Sequence, residues 1–347
     1  MKMKSMCTLC RLLTALAIAT FFAQPALAQQ LPRSVTIGTN PPGTVFYALA
    51  GGIAKVVTEG GPIPATLQTH SGSSTLLPLI NGGELDFAVV NGVDLGMAYA
   101  GPQQIKVGGK NDFAHSPDIR LVMRGAPLVI GLLVKKDSPL KSVYDVKGKR
   151  VTGEYPAHQA VWFNMFGLLA SGGLSWKDVS VVPVPAVNDG IDALVQGRAD
   201  VSMHAIGSAK LKEADAIVGV RNIALDCSQE GRDRVNRAIP GWSLLTLKAG
   251  AFHTIVEDTC VYAYDIYVVA SKKTPDAVVE AALKAVWENF DKLTPIHPNF
   301  KEWTRERAVH PSVTLPYHPG AIQFYKQREV WKPEMDEVQR NLLALNP

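Results

Sequence analysis

Hydrophobic and polar positions follow one another in a repeating order that predicts alternating strands and helices. A β-rich run at 34–37 leads into a Gly/Pro/Thr loop at 38–44, and apolar side chains then recur at helical spacing from Phe46 to Val57. The same order returns at 65–80, with a serine-rich loop between the strand and the helix. This alternation predicts an α/β fold with a mostly parallel sheet.

A short pattern occurs twice, at 80–87 and at 194–201. In each copy a glycine lies three positions after an apolar residue, and an aspartate lies three positions further on. The pattern is typical of a helix end, a glycine stop and the start of a strand. Because such junctions are common, chance is the alternative explanation. One copy in each half of the chain favours two similar lobes.

Two long β-rich runs, 128–134 and 262–270, are the predicted crossover strands between these lobes. We therefore predict a first lobe formed by 29–130 and 266–347, and a second lobe formed by 131–265. Lobes joined by two crossovers enclose a hinged cleft, and ligands commonly bind in such a cleft.

The N-terminus has the three parts of a secretory signal. Basic residues begin the chain, an apolar run follows at 12–23, and 26–28 is a small-x-small cleavage site. Residues 1–28 are therefore predicted to be a cleaved signal peptide, and the apolar run is too short to anchor the protein in a bilayer. The predicted location is the periplasm of a bacterium.

Charge and cysteine content narrow the function further. Removal of Lys2, Lys4 and Arg11 with the signal leaves 32 basic residues against 31 acidic ones, so nothing favours nucleic-acid binding. Cys227 and Cys260 remain in the mature chain. Two interpretations stay open for them, a disulfide or two buried free thiols.

The sequence contains no familiar catalytic motif. A nucleophile elbow, a zinc-protease motif and metal-spaced Cys/His clusters are all absent from it. We therefore expect no enzyme activity, no metal and no cofactor. An enzyme that lacks a local motif is the alternative.

Four segments are similar to a known family. They are 37–47, 71–86, 146–151 and 318–326, and together they span nearly the whole mature chain. On these segments the chain resembles the TAXI-type solute receptors of tripartite (TRAP) transporters. The resemblance implies a two-lobed periplasmic-binding-protein-like fold of type II, with two mixed sheets flanked by helices and joined by two crossover strands.

The resemblance also implies a function without catalysis. Such a receptor captures a small organic acid or amino acid in the periplasm and delivers it to TRAP-type membrane permease subunits. A binding protein for another transporter, such as an ATP-driven one, and a receptor feeding a sensor are the alternatives, followed by a secreted enzyme. We expect a monomer.

The segment 153–159 departs from the family pattern. Relatives usually carry a Gly/Ser/Thr-rich loop here, whereas this chain has Gly-Glu-Tyr-Pro-Ala-His-Gln. Its bulky polar side chains are expected to reshape the second-lobe wall of the cleft, so a glutamate-type ligand is not inferred. Glu154, Tyr155, His158 and Gln159 are candidate ligand contacts, and a surface loop that faces away from the ligand is the alternative.

Candidate contacts in the first lobe follow its strands. Thr39, Asn40 and Thr44 offer hydroxyl and amide groups in the first loop, and simple capping of the helix is the alternative for Thr44. Tyr47 points away from the apolar stripe and is assigned to the site. Phe46 begins the stripe and is assigned to the core.

Further candidates lie at equivalent strand ends. Ser71, Ser73 and Ser74 begin the second helix, where their hydroxyls can satisfy a carboxylate or merely cap the helix. Asn91 ends the next strand at the same sheet edge, and a turn residue is its alternative role. His204 follows a strand at the counterpart position in the second lobe.

Arg124 is the main charged candidate, because it interrupts an apolar run just before a predicted crossover strand. A guanidinium binds a carboxylate through two parallel hydrogen bonds. A structural ion pair with Asp86 or Asp118 is equally consistent with the sequence. The combined hypothesis is that an anionic solute is enclosed between the first-lobe loops and the segment 153–159.

Overall fold

The computed structural model describes residues 31–239 and 242–346. The predicted signal peptide, 1–28, lies outside the described residues. Within the described part, no helix is both long enough and apolar enough to cross a membrane.

Strands form where short runs rich in β-branched residues are bounded by glycine, proline or polar residues. The two longest correspond to the two long β-rich runs of the sequence. The strands are β1 (Val35–Thr39), β2 (Ala65–Thr69), β3 (Phe87–Asn91), β4 (Ile119–Lys135), β5 (Arg150–Glu154), β6 (Ser180–Val184), β7 (Ser202–Ala205), β8 (Val220–Ile223), β9 (Ser243–Leu247) and β10 (Thr259–Ser271).

Helices form where apolar residues recur with a helical period. Short 3-10 turns lie at Val143–Val146, Trp176–Asp178 and Pro298–Glu302. The α-helices are α1 (Val45–Gly60), α2 (Ser73–Gly82), α3 (Gly92–Ala100), α4 (Gln159–Ser171), α5 (Val187–Val195), α6 (Ala209–Val218), α7 (Gln229–Ala238), α8 (Asp276–Glu288), α9 (Phe290–Leu293), α10 (Arg305–Ala308), α11 (Pro319–Gln327) and α12 (Glu334–Leu343).

Most strands belong to one mixed sheet. Its order is β2-β1-β3-β10-β4-β7, with β8 also paired to β4 and β9 to β10. β1 runs parallel to β2 and β3, whereas β10 runs antiparallel to β3 and β4. β5 and β6 form a separate parallel pair, which a bridge from Val151 to Val201 links to the chain just before β7. The predicted α/β fold with a mixed sheet flanked by helices is confirmed. The expectation of a mostly parallel sheet is wrong, because β4 and β10 pair antiparallel with all their neighbouring strands.

The long strands β4 and β10 run through the whole sheet. They pair with each other from Ile119 and Ser271 at one end to Ile130 and Tyr262 at the other. One end of β10 also pairs with β3, whereas the far ends of the two strands carry β7, β8 and β9. Strands of both predicted lobes therefore lie in the larger sheet, because the two long strands hydrogen-bond to each other along their length. The lobe boundaries at 130/131 and 265/266 stay a prediction.

The first helix shows how the sequence pattern fixes the position of a loop. Its predicted apolar stripe is buried, from Phe46 through Ile53 to Val57. Thr44 caps the helix, because its hydroxyl oxygen accepts a hydrogen bond from the Tyr47 amide at 3.2 Å. Each large apolar side chain contributes about 1.5–3 kcal/mol on burial. The stripe therefore holds the loop before α1 firmly at the carboxyl edge of the sheet.

The loops that follow β1, β2 and β3 meet the loop that follows β5. The Gln159 amide donates a hydrogen bond to Ser74 Oγ at 3.2 Å. Gly72 permits this close approach, since a Cβ atom there would lie 2.6 Å from the ring of His158. Two sets of strand ends thus face each other, and open α/β sheets bind ligands at such ends.

The structure decides between the two interpretations of the cysteines. Cys227 and Cys260 form a disulfide, with Cα atoms 5.7 Å apart. The bond ties the loop before α7 to the start of β10. It therefore crosslinks one of the two strands that run through the whole sheet.

Candidate functional site

A cavity of about 30 Å³ lies where the two sets of loops meet. A space of this size holds about two water molecules. Its wall combines residues of the loops after β1 and β5 with residues of the long strands β4 and β10. The polar lining residues are Asn40, Thr44, Asn91, His158, Asn164, His204 and Tyr264, and the apolar ones are Val45, Phe46, Leu128, Ile130, Ala160, Val161, Val187, Met203 and Ala205.

Four helices begin at the wall of this cavity. Val45 is the first residue of α1 and Val187 the first of α5, while Asn91 and His158 are the N-caps of α3 and α4. A helix N-terminus presents unpaired N–H groups and a positive dipole end, which favour an anion. Among the described lining residues, none is a lysine, arginine, aspartate or glutamate. A negatively charged ligand in the cavity would therefore meet helix dipoles and hydrogen-bond donors, and no formally charged side chain of the lining.

Thr44 and Asn91 each cap a helix and also line the cavity. The Thr44 hydroxyl donates a hydrogen bond to the Pro41 carbonyl at 2.7 Å while it accepts one from the Tyr47 amide. Asn91 Oδ1 accepts from the Asp94 amide at 2.7 Å. Each of these two residues thus both caps a helix and lines the cavity. Their contact with a ligand stays a prediction.

Two histidines face the cavity from the second predicted lobe. His204 shares hydrogen bonds with Ser208 Oγ at 2.9 Å and with Asn188 Oδ1 at 3.2 Å. His158 is 5 % exposed, and its Nδ1 atom has no hydrogen-bond partner among the described residues. Burial lowers the pKa of each histidine to about 4. Both rings are therefore neutral near pH 7, and His158 has a free hydrogen-bonding atom.

A buried carboxyl group that the sequence did not reveal lies behind Asn91. Asp94 is 1 % exposed and accepts a hydrogen bond from Ser73 Oγ at 2.6 Å. Burial raises its pKa to about 7, although the hydrogen bonds from Ser73 and Asn91 oppose this rise. Ser73 therefore bonds to a neighbouring helix and is not among the lining residues. The sequence signal for Asp94 is its position in the first turn after an asparagine N-cap.

The remaining first-lobe candidates lie beside the cavity without lining it. Thr39 is buried and its hydroxyl has no partner among the described residues. Tyr47 is half-buried, and the Ser71 hydroxyl is within 3.3 Å of the Thr75 hydroxyl. Ser74 accepts the hydrogen bond from the Gln159 amide. The structure thus places Thr39, Tyr47, Ser71 and Ser74 around the site without bringing them to its surface.

The divergent segment divides between the core, the cavity and the protein surface. Tyr155 is completely buried and donates a hydrogen bond to the Thr152 hydroxyl, and burial raises its pKa. Glu154 and Tyr155 both have a positive φ, of 69° and 49°, which turns the Tyr155 ring inward. Exposed Glu154 and half-buried Gln159 line an open outer groove, whereas His158 lines the cavity. A contact between Tyr155 and a ligand in the cavity does not agree with this placement.

Arg124 is engaged by an acid that the sequence did not suggest. Its Nη2 atom lies 2.7 Å from Asp265 Oδ2, and Arg307 lies 3.1 Å from the other oxygen of the same carboxylate. Asp86 bonds to Thr36, so it is not the partner. Arg124 is not among the lining residues either. The structure therefore favours a structural ion pair over a clamp for the ligand, because β10 brings Asp265 beside Arg124.

Two further residues line the cavity because of how their helices pack. Phe46 lies in the hydrophobic core, as predicted, and is also part of the cavity wall. Asn164, in the second turn of α4, also lines the cavity. No local pattern marked Asn164, since it reaches the cavity through the packing of a whole helix. In the described part of the chain, no group of three His, Cys, Asp or Glu side chains is placed to hold a metal ion.

The fold is similar to those of several solved proteins. A periplasmic transporter matches with a TM-score of 0.52 and 14% identity, over 90% of this chain and 96% of its own. A protein from Bordetella bronchiseptica RB50 matches with a TM-score of 0.51 and 15% identity, over 87% and 91%. The alkanesulfonate-binding protein SsuA from Xanthomonas axonopodis pv. citri, bound to MOPS, matches with a TM-score of 0.48 and 18% identity, over 92% and 86%. At these identities the first two matches show a shared fold.

A family match accompanies this likeness of fold. The sequence model of the NMT1-like family matches residues 37–328, from within β1 to the end of α11. The matched span includes every residue that lines the cavity. This chain therefore belongs to the NMT1-like family.

Proposed function

We propose that this protein is a periplasmic solute-binding receptor, which captures a small organic acid or amino acid and delivers it to a membrane permease. The convergence of four helix N-termini on one small cavity carries the proposal. The cavity lies between the proposed lobes, 29–130 with 266–347 and 131–265. Export after residue 28 would place the receptor where such solutes arrive.

The proposed ligand contacts are the polar lining residues. Asn40, Thr44 and Asn91 would contact the ligand from one side, and His158 and His204 from the other. The unpartnered Nδ1 atom of His158 supports this assignment, because a buried polar atom without a partner is unfavourable until a ligand supplies one. Backbone N–H groups at the helix starts would hold the carboxylate.

Capture requires the two sides of the cavity to separate. The present space admits about two water molecules, so the organic part of an acid needs more room than this arrangement provides. Contacts such as the hydrogen bond from the Gln159 amide to Ser74 would break on opening. Bending of β4 and β10 would supply the hinge, as in other hinged two-lobed proteins.

A ligand screen tests the proposal. Mature protein, 29–347, is heated with amino acids, dicarboxylates, keto acids and aromatic acids, and hits are titrated by calorimetry. Binding at 100 times the Kd adds about 2.7 kcal/mol to stability and raises the melting temperature. His158→Ala should weaken a hit about tenfold, or about 1.4 kcal/mol. The exposed His253→Ala is the matched control.

Two results would count against this function. A screen without any saturable shift would remove the small-acid ligand class. Equal affinity of the wild-type protein and the His158→Ala variant for a confirmed hit would remove the cavity as the site. A change in the His253→Ala control would mean that the assay does not report on the cavity.

The permease that we propose is of the TRAP type, on the resemblance of four segments to TAXI receptors. Vesicles that contain the permease subunits, the receptor and labelled ligand distinguish the alternatives. Uptake driven by an ion gradient supports a TRAP partner, whereas uptake that requires ATP identifies an ATP-driven transporter. Binding without uptake by either system favours a sensor.

One arrangement bears on the alternative of a secreted enzyme. Ser208 Oγ lies 2.9 Å from His204 Nδ1, and Asn188 lies on the other side of the ring. The Ser208 hydroxyl, however, accepts the hydrogen bond from the Leu211 amide that caps α6, and Ser208 is not among the lining residues. A nucleophile must reach its substrate. We therefore favour binding, and turnover of an ester panel that is lost in Ser208→Ala would reverse this choice.

A further inference from the structure

A larger space, here called the side groove, adjoins the candidate site. It has a volume of about 520 Å³ and lies between β9, the loop at 251–252 and the turn at 297–302. Val45 and Leu128 line both the side groove and the small cavity. The two spaces are therefore adjacent, and these two residues belong to the wall of each.

The side groove is chemically different from the cavity. Most of its wall is apolar, including Leu245, Leu247 and Phe252, which are only partly buried. Its charged side chains, Lys301 and Glu302, lie on the turn at one wall. Removing apolar surface from water is favourable, so this groove suits a hydrocarbon group.

We propose that the ligand of this receptor is an acid with an apolar alkyl or aryl substituent. Its carboxylate lies in the small cavity at the helix N-termini, and its substituent passes Val45 and Leu128 into the side groove. This inference rests on the proposed function and specifies its ligand class.

The sizes of the two spaces support this division of the ligand. The cavity of about 30 Å³ has room for a compact polar head, comparable to about two waters. The side groove, at about 520 Å³, falls within the range of about 300–1,000 Å³ that is usual for small-molecule pockets. A short acid would leave the apolar wall of the groove in contact with water.

Two ligand series test the proposal by calorimetry on mature protein. One is the straight-chain monocarboxylates from acetate to decanoate, and the other is the α-amino acids from alanine to 2-aminooctanoate. Each methylene that enters the side groove should tighten binding about fourfold, which corresponds to about 0.8 kcal/mol per buried CH₂. The gain should stop once the groove is filled.

A blocking variant locates the effect. Ala251 is an exposed residue of the loop that lines the side groove, so Ala251→Trp should fill the groove without disturbing the core. The gain per methylene should disappear, while the shortest acid that binds keeps its affinity. Ala249→Trp is the matched control, because Ala249 is exposed nearby and does not line the groove.

The outcomes separate this inference from the proposed function. Binding of short acids with no gain in either series overturns the inference and leaves the receptor function standing. A gain that persists in Ala251→Trp also overturns it, since the chain then lies elsewhere. Absence of binding by every acid overturns both proposals. A gain in either series that Ala251→Trp abolishes and Ala249→Trp retains supports the inference.

Discussion

Replacement of Asp94 by asparagine should change how the stability of the protein depends on pH. The Asp94 carboxyl is 1 % exposed, and burial raises its pKa from 3.8 to about 7. Between these two values the folded protein keeps a proton that the unfolded chain has released. The free energy of unfolding therefore falls as pH rises through this range, and the loss is complete above about pH 7.

The size of the effect follows from the difference between the two pKa values. Three pH units at about 1.36 kcal/mol each give a full penalty of about 4 kcal/mol for the ionised carboxylate. About 3 kcal/mol of it should develop between pH 5 and pH 9. The Asp94→Asn variant has no titrating group at this position, so the wild-type protein should lose that much stability relative to the variant over this range.

Urea unfolding at pH values from 5 to 9 measures this difference. The amide oxygen of the variant can still accept the hydrogen bond that Ser73 gives to Asp94, so the site should stay intact. Asp137→Asn, at an exposed aspartate, controls for the loss of a negative charge. A difference between wild type and Asp94→Asn that stays constant with pH would refute the reasoning, because the carboxyl would then not titrate near neutrality.

Other contacts give further expected outcomes. Replacing Cys227 and Cys260 by serine should lower the free energy of unfolding by about 3–4 kcal/mol, because the crosslink spans 33 residues, and unchanged urea curves would contradict this. Arg124→Ala should reduce stability by about 1–3 kcal/mol through its ion pair with Asp265, without altering ligand affinity in calorimetry; a tenfold loss of affinity would return Arg124 to the site. The pKa of His158 in the folded protein, about 4, lies below its ordinary 6.5, so stability should be full above pH 6.5 and fall toward pH 4. Thermal melts should show a smaller fall of the melting temperature between pH 6.5 and pH 4 for His158→Gln than for the wild-type protein. Equal falls in the two proteins would contradict this prediction.

Much of the fold was predictable, because the spacing of residues along the sequence sets which side of a helix or strand each residue occupies. The apolar stripe from Phe46 to Val57 forms the buried side of α1, since residues three and four apart share one side of a helix. The long β-rich runs became β4 and β10 for a similar local reason. The larger sheet contains strands of both predicted lobes, and this depended on pairing between distant strands, which no local pattern reports.

The site was predictable where a residue's position followed from the end of a strand. Asn91 ends β3 and His204 lies one residue before the end of β7, and both line the cavity, as expected of side chains near the carboxyl ends of strands. For Tyr155 and Arg124 the sequence left an alternative to ligand contact open, and no local pattern decided between the two. A positive φ turns Tyr155 into the core, and Asp265 on β10 pairs with Arg124.

The sequence by itself determined the alternation of strands and helices, the two long strands and the loops that carry the candidate site. Those features depend on spacing and on the preferences of neighbouring residues. Tertiary structure alone decided the Cys227–Cys260 disulfide, the burial of Asp94 and the shared wall of Val45 and Leu128. Each of these depends on distances between segments far apart in the chain, and such distances are set by the packing of the whole fold.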